Sequence, residues 1–284
     1  LYYIIYYMGK IGVGIITCNR QDFYERCLYS LNDCELDAIV TVNDGDPYED
    51  LKIKSDVYFQ HEHNKGVGIT KNEALQHLID QDCDHIFLIE DDIIVLNTSV
   101  FKAYINAAKV SGVWHMMYGY HGPANKNSVS KLPLPRMIMD YTNGVKVAFN
   151  THCVGAFCYY HKNVLDHVGL MDETYKNAWE HVDHSLQIVK AGLLPGYWWW
   201  PDLPNSYDYL MEQACSEESS VIRWEDAEKK VPKKEWADNI QKGAEYFIKK
   251  NNFAPGEIPD TDEEEIVSRL NLIKERYSRS EIRS

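Results

Sequence analysis

The chain predicts an α/β fold with a mostly parallel central sheet, and two observations carry that prediction. Short apolar runs alternate with helical patterns across the first 110 residues, the rhythm of strands joined by right-handed helical crossovers. Each apolar run also stops abruptly at polar residues, and in such sheets ligands sit beyond the carboxyl ends of the strands. Asn19 and Arg20, then Asp44, then Glu90, Asp91 and Asp92 occupy those ends.

Residues 11–17 form the first expected strand, ending in GVGIIT. A helical period follows, with Phe23, Cys27, Leu28 and Leu31 on one face. Residues 38–42 make a second strand, closed by the turn residues Asn43, Asp44 and Gly45. A third strand is expected at 57–60, then a helix with Ile69, Leu75, Leu78 and Ile79 inward. Residues 85–89 are a fourth strand, and another helix is expected over 98–110. From 112 to 150 no period is visible. The Gly, Pro and Asn of GYHGPANKN and LPLPR predict a long loop or small insertion there, a common seat for an acceptor site or a lid.

A new strand is expected from Asn150, and a helix over 182–191, ended by Gly192. The aromatic run Tyr197, Trp198, Trp199 and Trp200 follows. The tail is expected to be helical and separable. Trp236, Ile240, Gly243, Phe247 and Ile248 make one stripe, and Ile266, Leu270, Ile273 and Tyr277 another. The chain therefore divides into a main domain over 1–222 and a helical C-terminal extension over 223–284.

Composition narrows the function classes. The chain of 284 residues is 45% hydrophobic and 25% charged, an ordinary globular balance rather than a disordered one. A net charge of −14 argues against whole-molecule attraction to nucleic acid or an anionic membrane. No run reaches the ~18 apolar residues of a membrane span, so no stable membrane insertion is expected. The N-terminal LYYIIYYMGK lacks a basic region and a small-residue cleavage site, so it makes a poor signal peptide. Seven cysteines without a CxxC pair predict neither a zinc site nor a disulfide framework, and a reducing, cytoplasmic setting fits them best.

The strongest chemical signal is IFLIEDDIIV, an apolar strand that delivers three carboxylates at its end. Three acids packed together are costly unless a cation or ligand neutralises them. Oxygen ligands favour Mg²⁺ or Mn²⁺, often shared with a substrate's phosphates. A solvated acidic turn is the plainer alternative.

Together with LIEDD, the segments VGIITCNR, VTVNDGD and NKGVGITKNEAL resemble the family-two glycosyltransferases of the GT-A fold. The stretch VGAFCYYHKNVLDHVGLMDETYKNAWEHVDHSLQIVKAG resembles the same family's segment around an acidic motif at a helix start. The similarity covers about residues 11 to 200. Two positions depart from the pattern: Glu90 opens the Asp–x–Asp motif, and His181 stands where a second acid is usual.

The resemblance implies a metal-dependent, inverting transferase using a nucleotide-diphosphate sugar, a UDP-sugar by preference, with Mn²⁺ or Mg²⁺. It implies that Thr17, Asn19, Arg20 and Asp44 line the nucleoside pocket, and that Lys71 meets the ribose or diphosphate. Asp92 would hold the metal, with Glu90 and Asp91 beside the ribose and Glu90 a second metal contact. Glu180, then Asp183, would be the base; His181 or His184 could be a base, a metal ligand or an acceptor contact, and Trp199 would face the acceptor.

Each role has a plainer counterpart. Asp183 can simply cap its helix. Lys71 can be a solvated helix charge, Arg20 can pair with Asp22, and His61 and His63 can be surface groups. The aromatic run can be ordinary core. The expected acceptor is a glycan of the capsule or lipopolysaccharide type. One alternative is a bacteriophage-type enzyme acting on modified bases in DNA, with Lys229, Lys230, Lys233, Lys234, Lys249 and Lys250 near phosphates. Another is a non-catalytic GT-A-like binding protein.

Overall fold

The computed structural model describes residues 9–52, 55–213, 223–226, 229 and 231–281, with side chains as far as 276. Residues 1–8, Cys215, Lys230 and the side chain of Tyr277 lie outside the described residues.

Strand β1 (Lys10–Thr17) is buried along seven of its eight positions. An uninterrupted apolar run of this kind suits a strand covered on both faces. Helix α1 (Gln21–Tyr29) leads to β2 (Ala38–Asn43) and β3 (Val57–Gln60). Helix α2 (Val67–Asp80) then crosses to β4 (Cys83–Glu90). These four strands run parallel, in the order β3–β2–β1–β4. Gly14 lets α2 close onto β1, because a Cβ there would stand 2.9 Å from that of Ala74.

The buried face of α2 differs from the expected one. Ile69 and Ile79 are only half-buried, whereas Thr70, Lys71, Ala74, Leu75 and Leu78 are buried. Lys71 is therefore not a solvated helix charge: it is 1% exposed.

A short β5 (Ile93–Val95) and α3 (Val100–Ser111) follow, close to the expected helix. The segment 112–150 is not a structureless loop. It contributes β6 (His115–Met117), β7 (Met137–Asp140) and β8 (Lys146–Asn150). These strands have only three to five residues, too few for alternation to stand out in the sequence. The expected strand from Asn150 begins later, as β9 (Phe157–His161), and is followed by α4 (Lys162–Val168). β9 lies antiparallel between β4 and β6 and completes a six-stranded sheet.

Helix α5 (Glu180–Lys190) precedes β10 (Trp200–Asp202), which pairs with β8 in a second sheet, β10–β8–β7. β11 (Leu210–Glu212) pairs with β5, and β12 (Trp224–Asp226) pairs with β13 (Val231–Pro232). The tail holds α6 (Lys234–Asn251) and α7 (Glu263–Glu281). Phe247, Ile266, Leu270 and Ile273 are buried within the same hydrophobic core as the sheet. Ile248, placed in the same stripe as Phe247, is 44% exposed instead.

The six described cysteines, Cys18, Cys27, Cys34, Cys83, Cys153 and Cys158, are all free. Among the described residues, no helix is long and apolar enough to cross a membrane.

Candidate active site

The carboxyl ends of β1 and β4 and the segment after β2 open into a cleft of about 690 Å³. Thr17, Arg20, Asp44, Glu90, Asp91, Asp92, Glu180 and His181 all line it. Most of the residues singled out in the sequence are thus brought together, although they come from positions more than 150 apart.

The acidic turn after β4 is built around Arg20. Its guanidinium pairs closely with Asp91 and lies 3.5 Å from Asp92 Oδ2. Arg20 therefore pairs with this turn and not with Asp22. Burial would lower the Arg20 pKa, but Asp91, Asp92 and Glu90 outweigh it and raise it. Asp91 is fully buried and also accepts from Thr17 Oγ1 at 2.7 Å. Its oxygens are occupied, so Asp91 organises the turn from beneath.

Asp92 presents a different face. Its Oδ1 is buried and has no hydrogen-bond partner among the described residues. His121 Nε2 lies 3.4 Å away, at ion-pair distance but without hydrogen-bond geometry. Burial opposes charge on both groups, yet their attraction wins: Asp92 is lowered and His121 raised. A buried carboxylate oxygen and a buried ring nitrogen thus face one another at the cleft, paired by charge and without a hydrogen bond between them. A carboxylate and an imidazole suit Mn²⁺, and such ions commonly take one or two protein ligands and complete their shell with phosphate oxygens and water. Among the described residues no cluster of three or more His, Cys, Asp or Glu could hold a metal by itself, so phosphate or water would have to supply the rest. Asp92 and His121 are the residues at the cleft that could take part in holding such an ion.

His121 was not legible in the sequence. It lies in the segment without period, and nothing in its spacing links it to Asp92. Glu212, on β11, holds its loop by accepting from the Gly122 backbone N–H.

Lys71 Nζ donates to Glu90 Oε1 and Glu180 Oε1, both at 2.9 Å, and to the Gly155 carbonyl at 3.2 Å. Lys71 does not line the cleft, so the expected contact with ribose or diphosphate is replaced by a buttress between two acids. Burial would lower its pKa, but Glu180 and Glu90 raise it. Burial likewise disfavours the charged Glu180, but Lys71 and then His181 hold its carboxyl well below the usual range. Glu180 is therefore ionised.

Three further expectations are corrected. Asp183 does not line the cleft: it is buried, with Lys250 at 2.7 Å and Asn251 at 3.2 Å, and it ties α5 to α6. Trp199 is 2% exposed, donates to Asp260 and the Thr261 carbonyl, and lies under Arg136, so it belongs to the core. The tryptophan that does line the cleft is Trp236, on α6. Asn19 also sits outside the lining: its Oδ1 accepts from Asp46 N–H at 2.6 Å and shapes the turn after β2.

Asp44 stays at the cleft, but its carboxylate is largely engaged. Oδ1 accepts from His61 Nδ1 and the Lys65 N–H, and Oδ2 accepts from the Gly66 N–H at 2.9 Å. His61 is thus buried between Asp44 and Glu73 rather than at the surface. Gly66 has φ +100°, and a Cβ there would come 2.9 Å from the Lys176 backbone, so this close loop requires glycine. In the lysine cluster, Lys250 is committed to Asp172 and Asp183, and Lys229 to Asp226.

No family profile matches the chain. It is similar to the uncharacterized glycosyltransferase R363 of Acanthamoeba polyphaga mimivirus, with 25% identity over 193 residues, covering 66% of this chain and 67% of that protein. Among solved structures it is similar to S. aureus TarS, with a TM-score of 0.51, 16% identity, 86% of this chain and 44% of that one. It is also similar to GalNAc-T7 solved with UDP, GalNAc and Mn²⁺, with a TM-score of 0.51, 14% identity, 69% of this chain and 42% of that one. The chain thus spans less than half the length of these two structures.

Proposed function

We propose that this chain, whose fold is that of the GT-A glycosyltransferases, transfers a sugar from a UDP-sugar to a hydroxyl of a glycan acceptor, with inversion and with Mn²⁺ or Mg²⁺. The observation that carries the proposal is the facing pair Asp92 Oδ1 and His121 Nε2, both without hydrogen-bond partners, at the strand ends of a nucleotide-sugar fold. Asp92 and His121 would hold the ion, and Glu90 lines the same cleft. When bound, the ion neutralises charge on the departing diphosphate. GalNAc-T7, solved with UDP and Mn²⁺, lends weight to this donor and metal.

The remaining steps fall to the chain's own residues. Thr17 and Asp44 line the nucleoside end, where Asp44 Oδ2 retains a lone pair for a base N–H. Arg20 fixes the acidic turn so that Asp92 faces the cleft. The Glu180–His181 pair takes the proton of the acceptor hydroxyl as that oxygen bonds to the anomeric carbon. Trp236 offers a flat apolar face on which an acceptor sugar can stack. The C-terminal helices, counted as an extension from 223, brace α5 through Lys250 and Asn251.

Calorimetric titration with UDP tests the assignment of the ion. UDP is expected to bind at least tenfold more tightly with Mn²⁺ than with EDTA, because charge neutralisation of a diphosphate contributes more than the ~1.4 kcal/mol of one decade. Equal affinity in both conditions would remove the metal from the proposal.

A further inference from the structure

We infer that His181, through its Nε2 atom, is the base that deprotonates the acceptor hydroxyl, and that Glu180 positions it. The inference rests on the transferase reading and deepens it, because the acid of this motif would otherwise be assumed to act directly.

The geometry argues against direct action by Glu180. Its side chain is 3% exposed. Oε1 already accepts from Lys71 Nζ at 2.9 Å and from His181 Nδ1 at 3.0 Å. Oε2 is buried and has no hydrogen-bond partner among the described residues. An acceptor hydroxyl would meet one oxygen with two donors already in place and another beneath the surface. The Lys71 ammonium also suppresses the basicity of the carboxylate, and a weakly basic group makes a poor proton acceptor near neutral pH.

His181 has what Glu180 lacks. Its side chain is 22% exposed and lines the cleft. An ionised carboxylate can only accept, so the contact with Glu180 places the proton on Nδ1 and leaves the lone pair on Nε2. Nε2 makes no hydrogen bond among the described residues, so it is open to a substrate. The ring also rests against Gly155, where a Cβ would lie 2.8 Å from its Cγ. Glycine there leaves room for the imidazole beside the segment that leads into β9. A carboxylate that fixes the tautomer and orientation of an imidazole is the division of labour seen in acyl-transfer triads. Here the same logic serves an alcohol nucleophile.

The step balances without another reactant. The acceptor O–H bond breaks and its proton passes to Nε2. The oxygen bonds to the anomeric carbon as the bond to the diphosphate breaks, and that electron pair leaves with UDP. With water as acceptor the same step is hydrolysis.

The test uses the full chain with Mn²⁺ and UDP-glucose, UDP-galactose, UDP-N-acetylglucosamine and UDP-N-acetylgalactosamine, and reads UDP release. For the donor that wild type turns over, His181→Ala is expected to lose ~10²–10⁴-fold in kcat, the usual share of a general base. The KM for the donor and the Mn²⁺-dependent affinity for UDP stay within about threefold, as expected of a group that acts on the acceptor hydroxyl alone. Added imidazole restores at least a tenfold part of the loss, and substituted imidazoles restore it in order of basicity. His181→Asn keeps a donor toward Glu180 and removes the base, so it loses activity equally while keeping the fold. Glu180→Gln is slower than wild type, but adding it to His181→Ala costs less than a further threefold.

The inference is overturned if His181→Ala and His181→Asn keep more than a third of kcat, or if imidazole restores nothing while Glu180→Gln is inactive. No turnover of any donor by wild type would overturn the transferase reading itself, and the base assignment with it.

Discussion

Asp92→Ala is expected to reduce sugar-nucleotide turnover by ~10³-fold, the rate equivalent of about 4 kcal/mol of lost charge stabilisation. The size follows from the place of Asp92 in the cleft. Its Oδ1 is the buried carboxylate oxygen that faces His121 at ion-pair distance and makes no hydrogen bond among the described residues. Removing it also frees Arg20 from one of its two acids, but Asp91 still holds the guanidinium. The fold should therefore survive. The check is UDP release by wild type and variant at saturating Mn²⁺, with circular dichroism beside it. His121→Ala should move in the same direction, since it supplies the facing atom.

Lys71→Met is expected to lower folding stability by about 3–5 kcal/mol, because breaking a buried ion pair from one side leaves an uncompensated charge. Glu90 is 31% exposed and can turn to water, whereas Glu180 is 3% exposed and cannot. The pH dependence has a definite sign. Glu180 is held below the usual carboxylate range, so its stabilising contribution is present above its unfolded pKa and fades as pH falls. Without Lys71, burial pushes the same group upward, and acidification then favours the folded variant. Urea midpoints at pH 7 and at about pH 4, near the ordinary glutamate pKa of ~4.3, should show the gap between the two proteins narrowing on acidification. A gap that widened would contradict this account of Lys71.

Much of this arrangement was legible in the sequence, for reasons that can be named. β1 and β4 carry apolar stretches, over 11–16 and 86–89, and the polar residues that end them mark the cleft. Their order, with Asn–Asp–Gly after β2 and Glu–Asp–Asp after β4, carried the fold. The short strands β6, β7 and β8 escaped because three to five residues show no period. His121 escaped with them, since its meaning depends on a partner 29 positions away. Lys71 was visible as a motif residue, but its burial was not. A lysine on a helix is ordinarily solvated, and two carboxylates, a half-buried one from β4 and a buried one from α5, make its position tenable. Asp183 and Trp199 were misplaced for one shared reason. Each sits close in sequence to cleft residues or to an aromatic run, while the helical tail, from Lys250 to Thr261, claims its side chain.

The most direct measurement of the central claim is donor turnover. The protein is incubated with Mn²⁺ and the four UDP-sugars, released UDP is quantified, and the anomeric configuration of the freed sugar is read by proton NMR before mutarotation. The account predicts that one donor is consumed, that the sugar appears with inverted configuration, and that EDTA or Asp92→Ala stops the reaction. Absence of turnover with every donor would contradict it, and UDP binding indifferent to Mn²⁺ would contradict the part assigned to the metal.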